Sequence, residues 1–283
     1  MRRLVALATL LACGAPEPTG SAPLPILNGA TDTSDTSVVA LLITSANGPQ
    51  DDSVCSGTVV SPHAVLTAAH CLSPDVAGPI DHVTIFLGDD VSSPTELADP
   101  SNLADVAETD FDPNFDPDTG DSDIAVVVAT APLDPTPVPI SHDSLGQGDV
   151  GTPVHVVGFG ESQDGIEASA GPRRSVDTKI FAVDDLHLFL DDVICFGDSG
   201  GPTLVTKNGT PTIAGVHSGG AQESCIGEGA DTRVDLYASS YVDPIIDRVD
   251  PGFLPSGCST YGGSGDPWLV ALAVAALARR ARK

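Results

Sequence analysis

Basic residues are scarce: 12 Lys and Arg stand against 39 Asp and Glu in 283 residues, a formal net charge of −27. Half of the basic residues (Arg2, Arg3, Arg279, Arg280, Arg282 and Lys283) lie in the two tails, and only Glu17 and Asp266 are acidic outside residues 26–257. The central region therefore lacks the basic patches that nucleic acid or an anionic membrane surface needs in a partner. Aromatic residues make up only 4% of the chain, so a core must rest on Val, Ile, Leu and Ala; at 41% hydrophobic residues there are enough for one large or two small domains. Helical periodicity is almost absent. No histidine pair has metal-ligand spacing: only His70 sits in a motif, whereas His63, His82, His142, His155, His187 and His217 do not, so neither a metal nor a cofactor is expected. The acidic stretch Asp116-Pro-Asp-Thr-Gly-Asp121 puts glycine fifth where an EF-hand-type loop has it sixth, and reads as a solvated loop.

What is present concentrates around Cys195-Phe-Gly-Asp-Ser-Gly-Gly-Pro202. Three glycines specify a turn too tight for side chains at most positions and leave one hydroxyl, that of Ser199, projecting. A serine hydroxyl is a weak nucleophile at neutral pH; it needs a base for its proton and donors for the oxyanion that forms. The main-chain N–H groups of Gly197 and Ser199 would flank that oxyanion. Upstream, Leu66-Thr-Ala-Ala-His-Cys71 offers His70 as the base, and Asp121-Ser-Asp-Ile-Ala-Val-Val-Val128 places Asp123 at the mouth of a β-branched strand. The chain order is His70, Asp123, Ser199.

These motifs resemble those of trypsin-like serine proteases of the chymotrypsin fold, with further support from Ile26-Leu-Asn-Gly29, Val157-Gly-Phe-Gly160 and Asp231-Thr-Arg-Val234. The likeness spans residues 26–249. It implies an endopeptidase in which His70 is general base and then acid, Asp123 orients it and Ser199 attacks. It also implies two disulfides, Cys55–Cys71 behind the base and Cys195–Cys225 beside the substrate pocket. In the family a freed N-terminus, here Ile26, pairs with the aspartate before the nucleophile, here Asp198. Pro25 precedes Ile26 where the family usually has Arg or Lys, so activation by a tryptic enzyme is not expected. In the family the residue six before the nucleophile lies at the floor of the specificity pocket, here Val193, with walls implied from Ser218, Gly220 and Gly229. No acid stands at that floor, so a buried Lys or Arg of the substrate would lack a counter-charge. Cleavage after apolar residues is expected. Gly219 departs from the aromatic residue common in the family and leaves the pocket width open.

Short strands recur through both halves: 38–43, 54–60, 64–67, 83–87 and 124–129, then 153–157, 176–181, 186–190, 203–205, 212–216 and 233–236. Pro132, Pro135, Pro137 and Pro139 separate the sets. The pattern argues for an all-β sandwich or barrel; the resemblance implies two six-stranded antiparallel barrels (about 26–131 and 148–238), with a short helix over 243–249 opened by Asp243 as N-cap.

Both ends read as targeting segments. Residues 1–13 resemble a secretory signal peptide ending in the lipobox-like Leu10-Leu-Ala-Cys13; residues 14–25 form a linker or propeptide. After the Pro/Gly/Ser-rich linker 250–267, the eleven apolar residues Trp268 to Ala278 and a basic end resemble the Gly-Cys C-terminal sorting tags of myxobacterial type, with Cys258 as attachment point. As a helix that segment spans about 16 Å, short of the roughly 20 residues of a comfortable membrane anchor. The expected protein is exported, secreted or held at the surface of a Gram-negative bacterium through a lipidated cysteine, monomeric, and acts on proteins or peptides. The alternative is a silent or latent binding protein on a protease scaffold, since fold alone does not fix function.

Overall fold

The computed structural model describes Ile26 and residues 29–163, 165–191, 193–220, 225 and 227–255. Cys13, Cys258, the two targeting segments and the linker 14–25 lie outside the described residues. Strand β1 (Ala30–Thr31) leads into a closed barrel of β2 (Val38–Ser45), β3 (Ser53–Val59), β4 (Ala64–Thr67), β5 (Ile80–Phe86), β6 (Leu103–Phe111) and β7 (Ala125–Ala129), in the order β2-β3-β4-β7-β6-β5. Every residue of β4 and β7 is buried, as the apolar runs Ala64–Leu66 and Ala125–Ala129 require, and buried Thr67 gives its hydroxyl to the Ser56 carbonyl. Strand β6 instead alternates between exposed and half-buried positions, with Ala104, Val106, Glu108 and Asp110 on its inward-leaning face and Asp105 exposed.

The second unit comprises β8 (Pro153–Gly158), β9 (Arg174–Lys179), β10 (Ala182–Val183), β11 (His187–Asp191), β12 (Pro202–Lys207), β13 (Thr210–Gly220) and β14 (Glu228–Arg233). With β1 they form one sheet of eight strands, ordered β1-β9-β8-β12-β13-β14-β11-β10. The six longer strands are those of the second expected unit; β1 and β10 are two-residue strands at its edges, and the sheet curls as a half-barrel. One correction concerns the last strand, expected over 233–236: Val234–Leu236 form a 3₁₀ turn, and the strand is Glu228–Arg233 before it.

One apolar cluster fills the barrel and continues into the second unit through Val157, Phe159, Leu204, Ile213 and Val216. Phe86 and Phe159 meet edge-to-face at 6.5 Å across the joint. Fully buried Arg173 spans it too: Nη1 donates to the Val38 and Gly88 carbonyls, Nη2 pairs with Asp89, and the guanidinium lies 5.7 Å from the Phe159 ring centre. The helix Asp243–Val249 docks on the barrel, where Arg248 grips both Glu108 oxygens at 2.8 Å. Its N-cap is Val242, not Asp243, which lies inside the first turn and bonds His142 Nε2 at 2.8 Å.

Candidate active site

The buried ends of β4 and β7 deliver the first two groups. His70 lies in the 3₁₀ turn Ala69–Cys71 directly after β4, and Cys71 is bonded to Cys55 on the neighbouring β3. Asp123 stands two residues before β7 in a tight turn in which Ser122 has φ 59° and Ile124 N–H donates to the Ser122 carbonyl. The Asp123 carboxylate accepts from His70 N–H on Oδ1 at 2.8 Å and faces His70 Nδ1 with Oδ2 at 2.7 Å. Ser218 Oγ donates to the same Oδ2 at 2.5 Å. Asp123 is 1% exposed and gathers His70 N–H, His70 Nδ1 and Ser218 Oγ on its carboxyl; with the ring proton on Nδ1, Nε2 is left as an acceptor.

The loop around Ser199 is shaped by backbone. Gly197 and Gly200 adopt φ 96° and 83°, a region that L side chains rarely enter. A Cβ on Gly200 would stand 2.1 Å from Thr67 Oγ1 and 2.3 Å from the Ser56 carbonyl, so the loop presses on β3 and β4 of the other unit. Ser56 clasps it from there: its N–H donates to the Ser199 carbonyl and its Oγ to the Gly197 carbonyl, each at 2.8 Å. Among the described residues the N–H groups of Gly197 and Ser199 find no acceptor.

Asp198, wholly buried, underpins the loop. Its Oδ1 accepts from Gly160 N–H at 2.8 Å and its Oδ2 from Cys195 N–H at 2.9 Å. Burial pushes its carboxyl up to about 6, against the pull of the nearby His217 and of those two N–H groups. A Cβ on Gly158 or Gly160 would come within 2.2 Å or 2.5 Å of the Asp198 carboxyl, which explains the glycines of the Val157–Gly160 motif. Ile26 is 0% exposed and packs with Val154, Val156 and Val193 in the apolar cluster of the second sheet.

His70 and Ser199 line one cavity of about 320 Å³ with Ser218, Gly219, Gly229 and Ile194. Cys195, bonded to Cys225, forms its side. Val193 is not part of this lining; it faces the second core, and Ile194 sits beneath Gly229, where a Cβ would meet its Cδ1 at 2.9 Å. Gly220 pairs with Gly229 across β13 and β14 behind the wall. The pocket also carries Glu228, which motif counting missed.

A second missed group lies under the loop. His217 and Asp231 are cross-strand neighbours on β13 and β14, both 0% exposed, with Nδ1 to Oδ1 at 2.9 Å. The His217 main chain takes Gly200 N–H on its carbonyl at 2.7 Å and gives its own N–H to the Gly201 carbonyl at 2.9 Å. Only the alternation along β13, which turns Ser218 outward to Asp123 and His217 inward, could have signalled it.

Comparison with known proteins agrees with this arrangement. Residues 27–241 match the sequence profile of the family described as Trypsin. A tryptase from Mus musculus is 29% identical over 216 residues, covering 65% of this chain and 75% of that protein. Brachyurin from Leptuca pugilator is 30% identical over 191 residues, 60% of this chain and 77% of its own. The solved structure of human heparin binding protein superposes with a TM-score of 0.60 at 19% identity, covering 81% of this chain and 99% of that one, a likeness of fold. With the profile matched across both units and over every motif around His70, Asp123 and Ser199, the chain belongs to the trypsin family.

Proposed function

We propose that the chain is a serine endopeptidase whose catalytic unit runs from Ile26 to Val249. The observation that carries this reading is the pair of main-chain N–H groups at Gly197 and Ser199, left without acceptors beside a serine that shares its cavity with His70. In the proposed reaction Ser199 Oγ adds to the scissile carbonyl carbon while its proton passes to His70 Nε2. The carbonyl π pair moves to oxygen, and the two N–H groups receive that oxyanion. Asp123 stays ionised and stabilises the imidazolium through Nδ1. Collapse breaks the C–N bond; the departing amine takes the proton from Nε2 and leaves an ester on Ser199. Water then adds by the same steps, with His70 again as base, and frees the acid.

The apolar Ile194 wall and the side-chain-free Gly219 and Gly229 favour an apolar residue before the scissile bond. The two disulfides fit an oxidising compartment, in keeping with export. Attachment through Cys13 or Cys258 remains part of the proposal, as does pairing of a freed Ile26 with Asp198. Turnover of a peptide library by the chain cleaved before Ile26, beside its Ser199→Ala variant, tests the reading. Cleavage after apolar residues that the variant loses supports it. A folded, cleaved protein that turns over nothing, with the intact binding-scaffold alternative in its place, contradicts it.

A further inference from the structure

On the outer side of the second sheet, Asp32, Asp35 and His155 bring one ligand atom each to within 4.8 Å of one another. The strand register sets the arrangement. His155 on β8 lies directly opposite Asp177 on β9, and Asp177 Oδ1 holds His155 Nδ1 at 2.6 Å. The other ring nitrogen, Nε2, faces Asp35 Oδ2 at 3.0 Å and Asp32 Oδ2 at 3.9 Å. Asp32 is 6% exposed, and a turn fixes it: Oδ1 accepts from Ser34 N–H, Ser34 Oγ and Asp35 N–H. The Asp35 carboxyl and the Ser175 hydroxyl also face Asp32. One imidazole thus faces three carboxyl groups.

We propose that Asp32, Asp35 and His155 Nε2 form a binding site for a divalent cation of the zinc class, with Asp177 as the partner that orients the imidazole. Zn–N and Zn–O bonds of about 2.0–2.2 Å put neighbouring ligand atoms of a tetrahedron roughly 3.3–3.5 Å apart, and the spacings of 3.0 and 3.9 Å bracket that edge. A metal-bound histidine characteristically gives its other ring N–H to a carboxylate, the part Asp177 plays. Imidazole suits zinc, whereas calcium and magnesium take all-oxygen sets. The His155 side chain is 34% exposed, which leaves solvent a path to a fourth position. The ion would pin the segment between Ile26 and β2, where Asp32 N–H already bonds the Arg173 carbonyl, onto β8. The inference is independent of the proposed peptidase activity.

The test is a Zn²⁺ titration of the full chain, carrying Cys13→Ser and Cys258→Ser, against a chromogenic chelator, with Co²⁺ absorption in parallel. One site per chain is expected, with a Co²⁺ spectrum that has no thiolate charge-transfer band. Affinity should fall beyond the range of the assay in His155→Gln and Asp32→Asn, and by about 10- to 100-fold in Asp177→Asn. Zinc should raise the thermal midpoint of the parent but not of His155→Gln, and the midpoints without zinc report whether each variant folds. Equal zinc affinity in parent and His155→Gln, or no binding stronger than the many weak contacts of an acidic surface, would overturn the proposal. If His155→Gln fails to fold, Asp177→Asn decides by the same comparison.

Discussion

Ser218 Oγ and His70 Nδ1 share one acceptor, Asp123 Oδ2, at 2.5 and 2.7 Å. The second sheet therefore reaches across the joint to fix the carboxylate that orients a histidine of the first barrel. A hydrogen bond to a charged group is worth about 1.5–3 kcal/mol. Ser218→Ala is expected to lower kcat by about 10- to 100-fold while the fold survives, measured on a peptide ester and by thermal unfolding. An unchanged kcat would show that Asp123 needs no support from the second sheet.

Asp198 ties stability to pH. Its folded carboxyl is raised from 3.8 to about 6, chiefly by burial. The native chain thus holds a proton there that the unfolded chain has already released, so this group's contribution is fully present below about 4 and is lost as pH rises through about 6. Denaturant unfolding between pH 4 and 7 should show that declining component in the parent and not in Asp198→Asn.

Close packing on the same carboxyl makes a steric prediction. Gly160→Ala puts a Cβ 2.5 Å from Asp198 Cγ and 2.7 Å from its main-chain nitrogen, and should cost about 1–3 kcal/mol and most of the activity. Gly148→Ala, where nothing lies within 4 Å, should cost neither.

Ile194 is expected to limit the pocket. Ile194→Ala removes the side chain beneath Gly229 and should shift preference towards bulkier apolar residues by roughly 10-fold in relative kcat/KM, the scale on which one or two methylenes discriminate. A library profile identical to the parent's would place specificity elsewhere.

The buried strands of the barrel were legible because both faces of β4 and β7 are apolar, and a run such as Ile124–Ala129 has no other use in a chain with little helical period. Strand β6 was not, because Asp105, Glu108 and Asp110 interrupt it and only long-range pairing with β5 and β7 makes it a strand. The same held for β14, which is specified by its neighbours β11 and β13 more than by its own residues. Motifs singled out His70, Asp123 and Ser199 because the proposed chemistry demands particular residue types in particular turns, and the fold brings His70 beside Asp123 and into one cavity with Ser199. Val193, which the offset assigns to the pocket floor, packs in the second apolar cluster, whereas its neighbour Ile194 lines the described cavity. The His217–Asp231 pair left no trace, since it arises from register between strands and not from spacing along the chain.

The most direct test of the account is intact-mass analysis after treatment with an active-site phosphonate. The protein cleaved before Ile26 should gain one adduct, mapped to Ser199, and labelling should slow by at least about 10³-fold in His70→Ala, as expected when a nucleophile loses its base. Equal labelling of the parent and His70→Ala, or an adduct on another serine, would contradict the assignment of Ser199 as a nucleophile activated by His70.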